Sequence, residues 1–339
     1  MGTKEINKMK ESKEIPDRRK IFASGSILDQ QSLVALERDL RGQGLSVEMK
    51  NKTGLLGEKA LTDSLKKAEV YVLGGDETVT GKVVDEAKKL KLILFLGDEW
   101  ETFFTQEAIQ KLKERGVRIE NTPGMNTNAV AEMTAGLILT TARRIPEAAS
   151  KLRQGMWDNR ESFELQGKTL GIIGLGRIGV RVAHIMRDGF GMNVVYWSRT
   201  RKKNLEKEAE LTYLSLKELL QESDIVTVHL QLNEETRNFL HSERLALMKK
   251  GAYLINPSRA ALVDPTALRS ALESGHLSGA SFDGYYFEGA EFQKTKDPYG
   301  LVHLESFLVT PHQAFNTRES NERTREKAVE VIKDYFHYG

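Results

Sequence analysis

Short apolar runs alternate with amphipathic stretches along the first third of the chain. Runs with the composition of buried strands occupy residues 20–23, 46–49, 68–73, 90–96 and 117–120. Apolar residues at helical spacing stand between them, at residues 29–40, 60–67 and 105–115. This alternation predicts a parallel sheet that is covered by helices.

A second series of the same kind begins at residue 170. Its strands are predicted at residues 170–173, 192–197, 252–255, 280–282 and 307–310, and a terminal helix at 318–338. Between the two series, one long helical stretch from Asn126 to about Gln154 is expected to bridge two domains. The expected fold is α/β, with two Rossmann-like, doubly wound parallel-sheet domains and the active site in the cleft between them.

Composition narrows the class of protein. The 339 residues include 50 Lys and Arg against 48 Asp and Glu, and the net charge of +2 gives no argument for a nucleic-acid partner. The absence of cysteine excludes disulfides and Cys-ligated metals, and no metal site is expected. No apolar run approaches the length of a membrane span, so a cytoplasmic enzyme without a membrane partner is expected.

Three glycines mark the start of the second series. Gly174, Gly176 and Gly179 form G-x-G-x-x-G between a predicted strand and a predicted helix at 180–187. In this context the first glycine permits a tight turn, the second lets a pyrophosphate approach the backbone, and the third lets the helix pack closely on the sheet. The free N–H groups of the helix N-terminus favour the anion. The pattern predicts a dinucleotide site.

The residues after the next strand indicate which dinucleotide. NAD-specific sites carry an acidic residue there, which holds the ribose 2′-hydroxyl. This chain has Ser198, Arg199 and Thr200 instead, followed by further basic residues. A hydroxyl and a guanidinium can bind a 2′-phosphate that a carboxylate would repel, so NADP(H) is favoured as cofactor, and NAD(H) stays possible.

The fingerprint also assigns the domains. Residues 123–314 are expected to form the dinucleotide-binding domain, and residues 20–122 with 315–339 the substrate (catalytic) domain. Residues 1–19 are nearly all charged or polar and have no apolar signal-peptide core, so a flexible N-terminal extension is expected.

Polar groups suited to carbonyl reduction follow three predicted strands of the second series. They are Arg259, Glu288 and His312. Reduction of a 2-keto acid needs a proton donor, a partner that keeps the donor protonated, and a cation for the carboxylate, and these residues supply them as His312, Glu288 and Arg259. Taken singly, each is more often a surface or structural residue.

Five segments in order, GLGRIG, SRTR, NPSRAALVD, GASFDGYYFE and TPHQAF, resemble the D-isomer-specific 2-hydroxyacid dehydrogenase family, in particular its glyoxylate/hydroxypyruvate reductase branch. The resemblance implies an oxidoreductase that reduces a small 2-keto acid to the D-2-hydroxy acid and acts as a homodimer. It implies that Arg259 binds the substrate, Glu288 is the partner and His312 the acid/base. Contacts with the cofactor are implied for Arg177, Ile178, Ser198, Arg199, Thr200, Leu230, Gln231, Thr236, Pro257, Ser258 and Asp283.

One loop departs from the family pattern. Relatives usually have a small, glycine-containing loop after the strand at 90–96, and its backbone binds the substrate carboxylate. This chain has Asp98, Glu99 and Trp100 there. The carboxylates either enter the pocket and select an amine-bearing substrate, or turn outward while the backbone still binds, which is the orientation we expect.

Two alternatives stay open at this point. One is a formate- or phosphite-type dehydrogenase on the same scaffold, although the lysine that phosphite enzymes favour is absent from the acidic loop. The other is a nucleotide-sensing binding protein or corepressor without significant turnover. Retention of Arg259, Glu288 and His312 argues against the second alternative, because dinucleotide binding alone needs no acid/base pair.

Overall fold

The structure is a computed structural model that describes residues 20–24, 30–41, 45–49, 56–74, 77–208, 210–295 and 297–338. The predicted N-terminal extension, residues 1–19, lies outside this range. Described residues up to Met125 and from Asn321 onward form one compact unit, and Asn126–Ser320 form the other. No helix in the described ranges is long and apolar enough to cross a membrane.

The strands and helices alternate along both units. The strands are β1 (Lys20–Ser24), β2 (Ser46–Met49), β3 (Val70–Leu73), β4 (Leu92–Phe95), β5 (Arg118–Asn121), β6 (Thr169–Ile173), β7 (Asn193–Trp197), β8 (Thr212–Tyr213), β9 (Ile225–Val228), β10 (Ala252–Asn256), β11 (Leu277–Asp283) and β12 (Phe307–Thr310). The helices are α1 (Gln30–Arg41), α2 (Glu58–Leu65), α3 (Gly81–Glu86), α4 (Gln106–Glu114), α5 (Thr127–Ala142), α6 (Ile145–Arg153), α7 (Arg177–Phe190), α8 (Lys203–Glu208), α9 (Leu216–Glu222), α10 (Ser242–Ala246), α11 (Pro265–Glu273), α12 (Gly289–Thr295) and α13 (Arg318–Tyr338).

The first unit contains a parallel five-stranded sheet in the order β2-β1-β3-β4-β5. Alternate residues of β3 face opposite sides: Val70 and Val72 pack with α1 and α13, whereas Tyr71 and Leu73 pack with α2, α3 and α4. Both faces are therefore buried, and the central strands read as continuous apolar runs for this reason.

The second unit contains a parallel seven-stranded sheet in the order β12-β11-β10-β9-β6-β7-β8. Helices α5 and α7 cover one face, and α9, α10 and α11 cover the other. Read from β8, the first six strands have the order 3-2-1-4-5-6 of dinucleotide-binding sheets, and the order reverses between β6 and β9. The predicted fold class, two parallel-sheet α/β domains of Rossmann type, is confirmed.

The prediction of one long helix over residues 126–154 is wrong. Helix α5 ends at Ala142 and α6 begins at Ile145. Between them Arg144 is in the left-handed region, with φ of 52°. Pro146 occupies the first turn of α6. Proline has no N–H to donate and clashes with the preceding turn, so it is tolerated where a helix starts and breaks one that continues.

Candidate active site

The glycine turn lies between β6 and α7, next to the point where the strand order reverses. Gly174 has φ of +101°, and a Cβ atom there would lie 2.4 Å from the His229 carbonyl oxygen. A Cβ atom on Gly179 would lie 2.4 Å from the Gly174 carbonyl oxygen. Neither position can hold a side chain unless the backbone shifts.

Gly176 differs from these two glycines because its surroundings are open. An added Cβ atom would meet no atom within 4 Å, although the residue directly precedes α7. The open space therefore lies over a helix N-terminus, where backbone N–H groups favour an anion. Arg177 and Ile178 form the first turn of this helix. These features fit the pyrophosphate of a dinucleotide.

The loop after β7 contains the residues predicted to contact the adenosine ribose. Ser198 is buried, and its hydroxyl donates to the Thr200 carbonyl oxygen at 2.7 Å. Arg199 is exposed and reaches out of its own loop to Glu235, with 3.4 Å between guanidinium and carboxylate. Arg201 instead turns back to Glu206. Its hydrogen bonds outweigh the opposing effect of burial and lower the pKa of Glu206 to about 2.

The loop after β9 lies on the other side of the glycine turn, since β9 and β7 both pair with β6. Its turn is closed by Thr236, whose hydroxyl donates to the Gln231 carbonyl oxygen at 2.7 Å and accepts from the Asn233 N–H at 2.8 Å. Leu230 is half-buried and Gln231 is exposed. The structure thus brings together the predicted cofactor residues of both loops around the turn.

His229, at the end of β9, was not among the predicted site residues. Its Nε2 atom lies 3.0 Å from the Thr227 hydroxyl. Its Nδ1 atom is buried and has no hydrogen-bond partner within the described ranges. Burial lowers the pKa of His229 to about 3, so the imidazole is neutral.

Arg259, Glu288 and His312 come from the ends of adjacent strands and meet in space. A guanidinium nitrogen of Arg259 lies 3.1 Å from Nε2 of His312. Nδ1 of His312 lies 3.0 Å from a carboxylate oxygen of Glu288. The three side chains form a continuous row. Arg259 and His312 are 53 positions apart in sequence, and Glu288 and His312 are 24 positions apart.

The row fixes a protonation pattern. A guanidinium only donates hydrogen bonds, so Nε2 of His312 accepts from Arg259 and the imidazole proton lies on Nδ1, facing Glu288. Partial burial alone would raise the pKa of Glu288. The hydrogen bond from His312 and the nearby charge of Arg259 outweigh burial, and the net effect lowers the pKa of Glu288 below its ordinary value.

Asp283 holds the turn that carries His312. Its buried carboxylate accepts hydrogen bonds from the Thr310 hydroxyl at 2.6 Å, the Gln313 N–H at 2.9 Å and the Ala314 N–H at 2.7 Å. His312 lies inside this frame with φ of 52°. The Asp283 side chain, predicted as a cofactor contact, is therefore directed at the turn after β12.

Asn256 positions the segment that leads to Arg259, a role that was not predicted. Its buried amide donates to the Arg259 carbonyl oxygen at 2.9 Å and accepts from the Ser258 N–H at 3.0 Å. The Ser258 hydroxyl donates to the Val228 carbonyl oxygen at 3.0 Å. Pro257 lies between these residues. An Asn at the end of a buried strand, directly before Pro, was the signal that could have identified it.

The acidic loop belongs to the first unit. The Asp98 carboxylate accepts from the Gly124 N–H at 3.1 Å, and the Asp98 carbonyl oxygen accepts from the Asn121 amide at 2.9 Å. Trp100 packs edge-on against Phe104, with 5.4 Å between the ring centroids. The Asp98 side chain is therefore used to fasten the neighbouring turn, and Glu99 beside it is half-buried.

Comparisons with known proteins identify the family and the fold. Residues 135–314 match the family model described as D-isomer specific 2-hydroxyacid dehydrogenase, NAD binding domain. The chain is 42% identical over 284 residues to a glyoxylate reductase of Aeropyrum pernix, covering 81% of this chain and 82% of that protein. It is 35% identical to a glyoxylate reductase of Thermococcus litoralis, covering 78% and 80%. The crystal structure of D-lactate dehydrogenase from Aquifex aeolicus, complexed with NAD and lactic acid, superposes with a TM-score of 0.79 at 29% identity and covers 94% of this chain and 96% of that chain.

Proposed function

The chain belongs to the D-isomer-specific 2-hydroxyacid dehydrogenase family, in its glyoxylate reductase branch, and from this premise we propose that it reduces glyoxylate, hydroxypyruvate or a similarly small 2-keto acid to the D-2-hydroxy acid. The observation that carries the proposal is the row of Arg259, His312 and Glu288. Such a row has the parts that carbonyl reduction needs. It lies in the same sheet as the glycine turn, with β9 between β10 and β6.

The glycine turn of Gly174, Gly176 and Gly179 would hold a nicotinamide dinucleotide, and this cofactor would supply the hydride for the carbonyl carbon. His312 supplies the proton: Nε2–H gives it to the carbonyl oxygen as the new C–H bond forms, and the C=O bond becomes a C–O–H single bond. The Glu288 carboxylate stabilises the imidazolium before transfer. A protonated Nε2 can no longer accept a hydrogen bond from Arg259. Protonation of His312 therefore frees the guanidinium to hold the substrate carboxylate.

The preference among nicotinamide cofactors is part of the proposal. The loop after β7 contains Ser198, Arg199 and Thr200. Its guanidinium can bind a 2′-phosphate, which a carboxylate at this position would repel. NADP(H) is therefore the preferred cofactor, and NAD(H) is used less well. We assign cofactor binding to residues 123–314 and substrate binding to residues 20–122 with 315–339.

A homodimer is the proposed assembly. Ile145 and Leu152 on α6, followed by Met156 and Trp157, expose large apolar side chains, and Trp157 is 87% exposed. Large apolar side chains that are exposed close together in sequence would suit a protein–protein interface. Sedimentation equilibrium tests it, since a monomer at micromolar concentration would overturn the assignment.

The decisive experiment is a turnover assay with purified protein. Loss of the reduced-nicotinamide absorbance is followed with glyoxylate, hydroxypyruvate, pyruvate and 2-oxoglutarate, and its gain with formate and phosphite. We expect reduction of glyoxylate or hydroxypyruvate, with NADPH giving the higher kcat/KM, and a D-configured product from hydroxypyruvate by chiral chromatography. Turnover of formate or phosphite alone, or an L-configured product, would overturn the proposal.

A further inference from the structure

An exposed ion pair connects the two loops that flank the glycine turn. Arg199 follows β7 and Glu235 follows β9, and both strands pair with β6. The Arg199 guanidinium lies 3.4 Å from the Glu235 carboxylate, and the two side chains are 83% and 79% exposed. A contact between these loops has to pass over the end of β6, where the glycine turn begins.

The two partners differ in how firmly they are held. The Asn233 side-chain oxygen accepts from the Glu235 N–H at 2.9 Å and from the Thr236 N–H at 3.0 Å, which fixes the backbone that carries Glu235. The Arg199 guanidinium lies at the end of a long, exposed side chain. Arg201 on the same loop is engaged with Glu206 through two hydrogen bonds. Arg199 is therefore the arginine of this loop that reaches across to the opposite one.

We propose that Glu235 is a specificity-determining residue, which lowers the preference for NADP(H) over NAD(H) by competing with the ribose 2′-phosphate for Arg199. The inference rests on the proposed role of Arg199 at the adenosine ribose. A 2′-phosphate has to draw the guanidinium away from Glu235 or share it while that carboxylate stays close. A 2′-hydroxyl leaves the ion pair as it is. Because the pair is exposed to solvent, it is weak, and Glu235 tunes the preference without abolishing it.

The test compares Glu235→Gln with the matched control Glu234→Gln. Both remove one carboxylate from the same exposed turn, but the pairing with Arg199 involves Glu235. Dissociation constants are measured by calorimetry for NADPH and NADH, and for adenosine 2′,5′-bisphosphate against adenosine 5′-monophosphate. In Glu235→Gln we expect binding of the 2′-phosphorylated ligands to tighten about two- to fivefold and binding of the others to change less. Glu234→Gln should leave the ratio near that of the parent.

The double variant Arg199→Ala/Glu235→Gln separates competition from simple repulsion. If Glu235 acts through Arg199, the Glu235→Gln change has no effect on the NADPH/NADH ratio in the Arg199→Ala background. An undiminished effect there, or equal effects of Glu234→Gln and Glu235→Gln, would overturn the inference. Failure of the proposed cofactor preference is distinguishable, because Arg199→Ala alone would then leave the parent's ratio unchanged. Binding measurements also need no turnover, so they stand apart from the keto acid assay.

Discussion

His312 is held between a cation and a carboxylate while its own backbone is in the left-handed region. A non-glycine residue in this region costs about 1–2 kcal/mol, and it persists where the surroundings supply compensating contacts. Here the three hydrogen bonds to Asp283 supply them, on both sides of residue 312. These contacts hold the ring in one orientation, so the proposed proton transfer would need little rearrangement of the protein.

Replacement of His312 tests the proton transfer. His312→Ala is expected to lower kcat for keto acid reduction by about 10²–10⁴ while the dissociation constant of the cofactor changes little, since the proton is transferred only in the transition state. His303→Ala is a suitable control, because His303 is exposed and was not placed at the site. Stopped-flow turnover and fluorescence titration of NADPH give the two quantities. An unchanged kcat would assign the acid to another group.

Glu288 should control the pH range of the reaction. Its lowered pKa keeps the carboxylate ionised at neutral pH, where it stabilises the imidazolium of His312. Glu288→Gln removes this charge but keeps a hydrogen-bond acceptor. We expect the alkaline limb of the kcat/KM profile for reduction to move to lower pH. A profile that stays in place while its height falls would indicate a purely structural role.

His229 should make stability depend on pH. The folded protein keeps the buried ring neutral down to a pKa of about 3, whereas the unfolded chain takes up a proton below about 6.5. The unfolded state thus binds more protons between these values, and the unfolding free energy falls as the pH is lowered through this window, by at most about 1.4 kcal/mol per pH unit from this group. Urea unfolding of His229→Asn should show a shallower slope from pH 6.5 to 5. An equal slope would contradict the assignment.

At the scale of elements, the apolar pattern predicted where strands lie, but it did not predict the side-chain hydrogen bonds between them. Strands β2 and β12 and helix α13 have the predicted bounds. The break between α5 and α6 depends on one proline and one left-handed residue. The prediction followed the apolar pattern, which continues across the break. The part that Asp283 plays in holding the turn of His312 was not predictable, since its partners lie 27 to 31 residues away, on a segment that only the folded sheet brings close.

The turn between β6 and α7 offers a matched pair of variants. Gly179→Ala places a Cβ atom 2.4 Å from the Gly174 carbonyl oxygen, so the helix has to move off the strand and the unfolding free energy should fall by about 1–3 kcal/mol. Gly176→Ala meets open space and should leave the melting temperature almost unchanged. The same methyl group should weaken dinucleotide binding, because it occupies the space assigned to the pyrophosphate. Calorimetric melting measures the effect on stability, and NADPH titration measures the effect on binding. A strongly destabilised Gly176→Ala would contradict the view that Gly176 faces open space.

At the scale of the whole molecule, two sheets of one class have different strand orders. The first unit has the order 2-1-3-4-5 and the second begins 3-2-1-4-5-6, and each reverses direction at one point where a ligand can bind. The glycine fingerprint stands at the reversal of the second sheet, beside β6. The acidic loop follows β4 of the first sheet. The fingerprint and the acidic loop therefore belong to different units.

The acidic loop is where the charge of the molecule could oppose its proposed substrate. The Asp98 carboxylate accepts from the Gly124 N–H, and a side-chain amide in its place could still accept through its oxygen, so Asp98→Asn should preserve the turn. If neither carboxylate faces the bound keto acid, Asp98→Asn with Glu99→Gln should leave KM for glyoxylate within a few-fold of the parent, since a screened charge contributes less than about 1 kcal/mol. If they do face it, the repulsion acts in ground and transition states alike and appears in KM. Steady-state kinetics at low ionic strength give the answer, and a fall in KM beyond about tenfold, or ~1.4 kcal/mol, would place the carboxylates against the substrate.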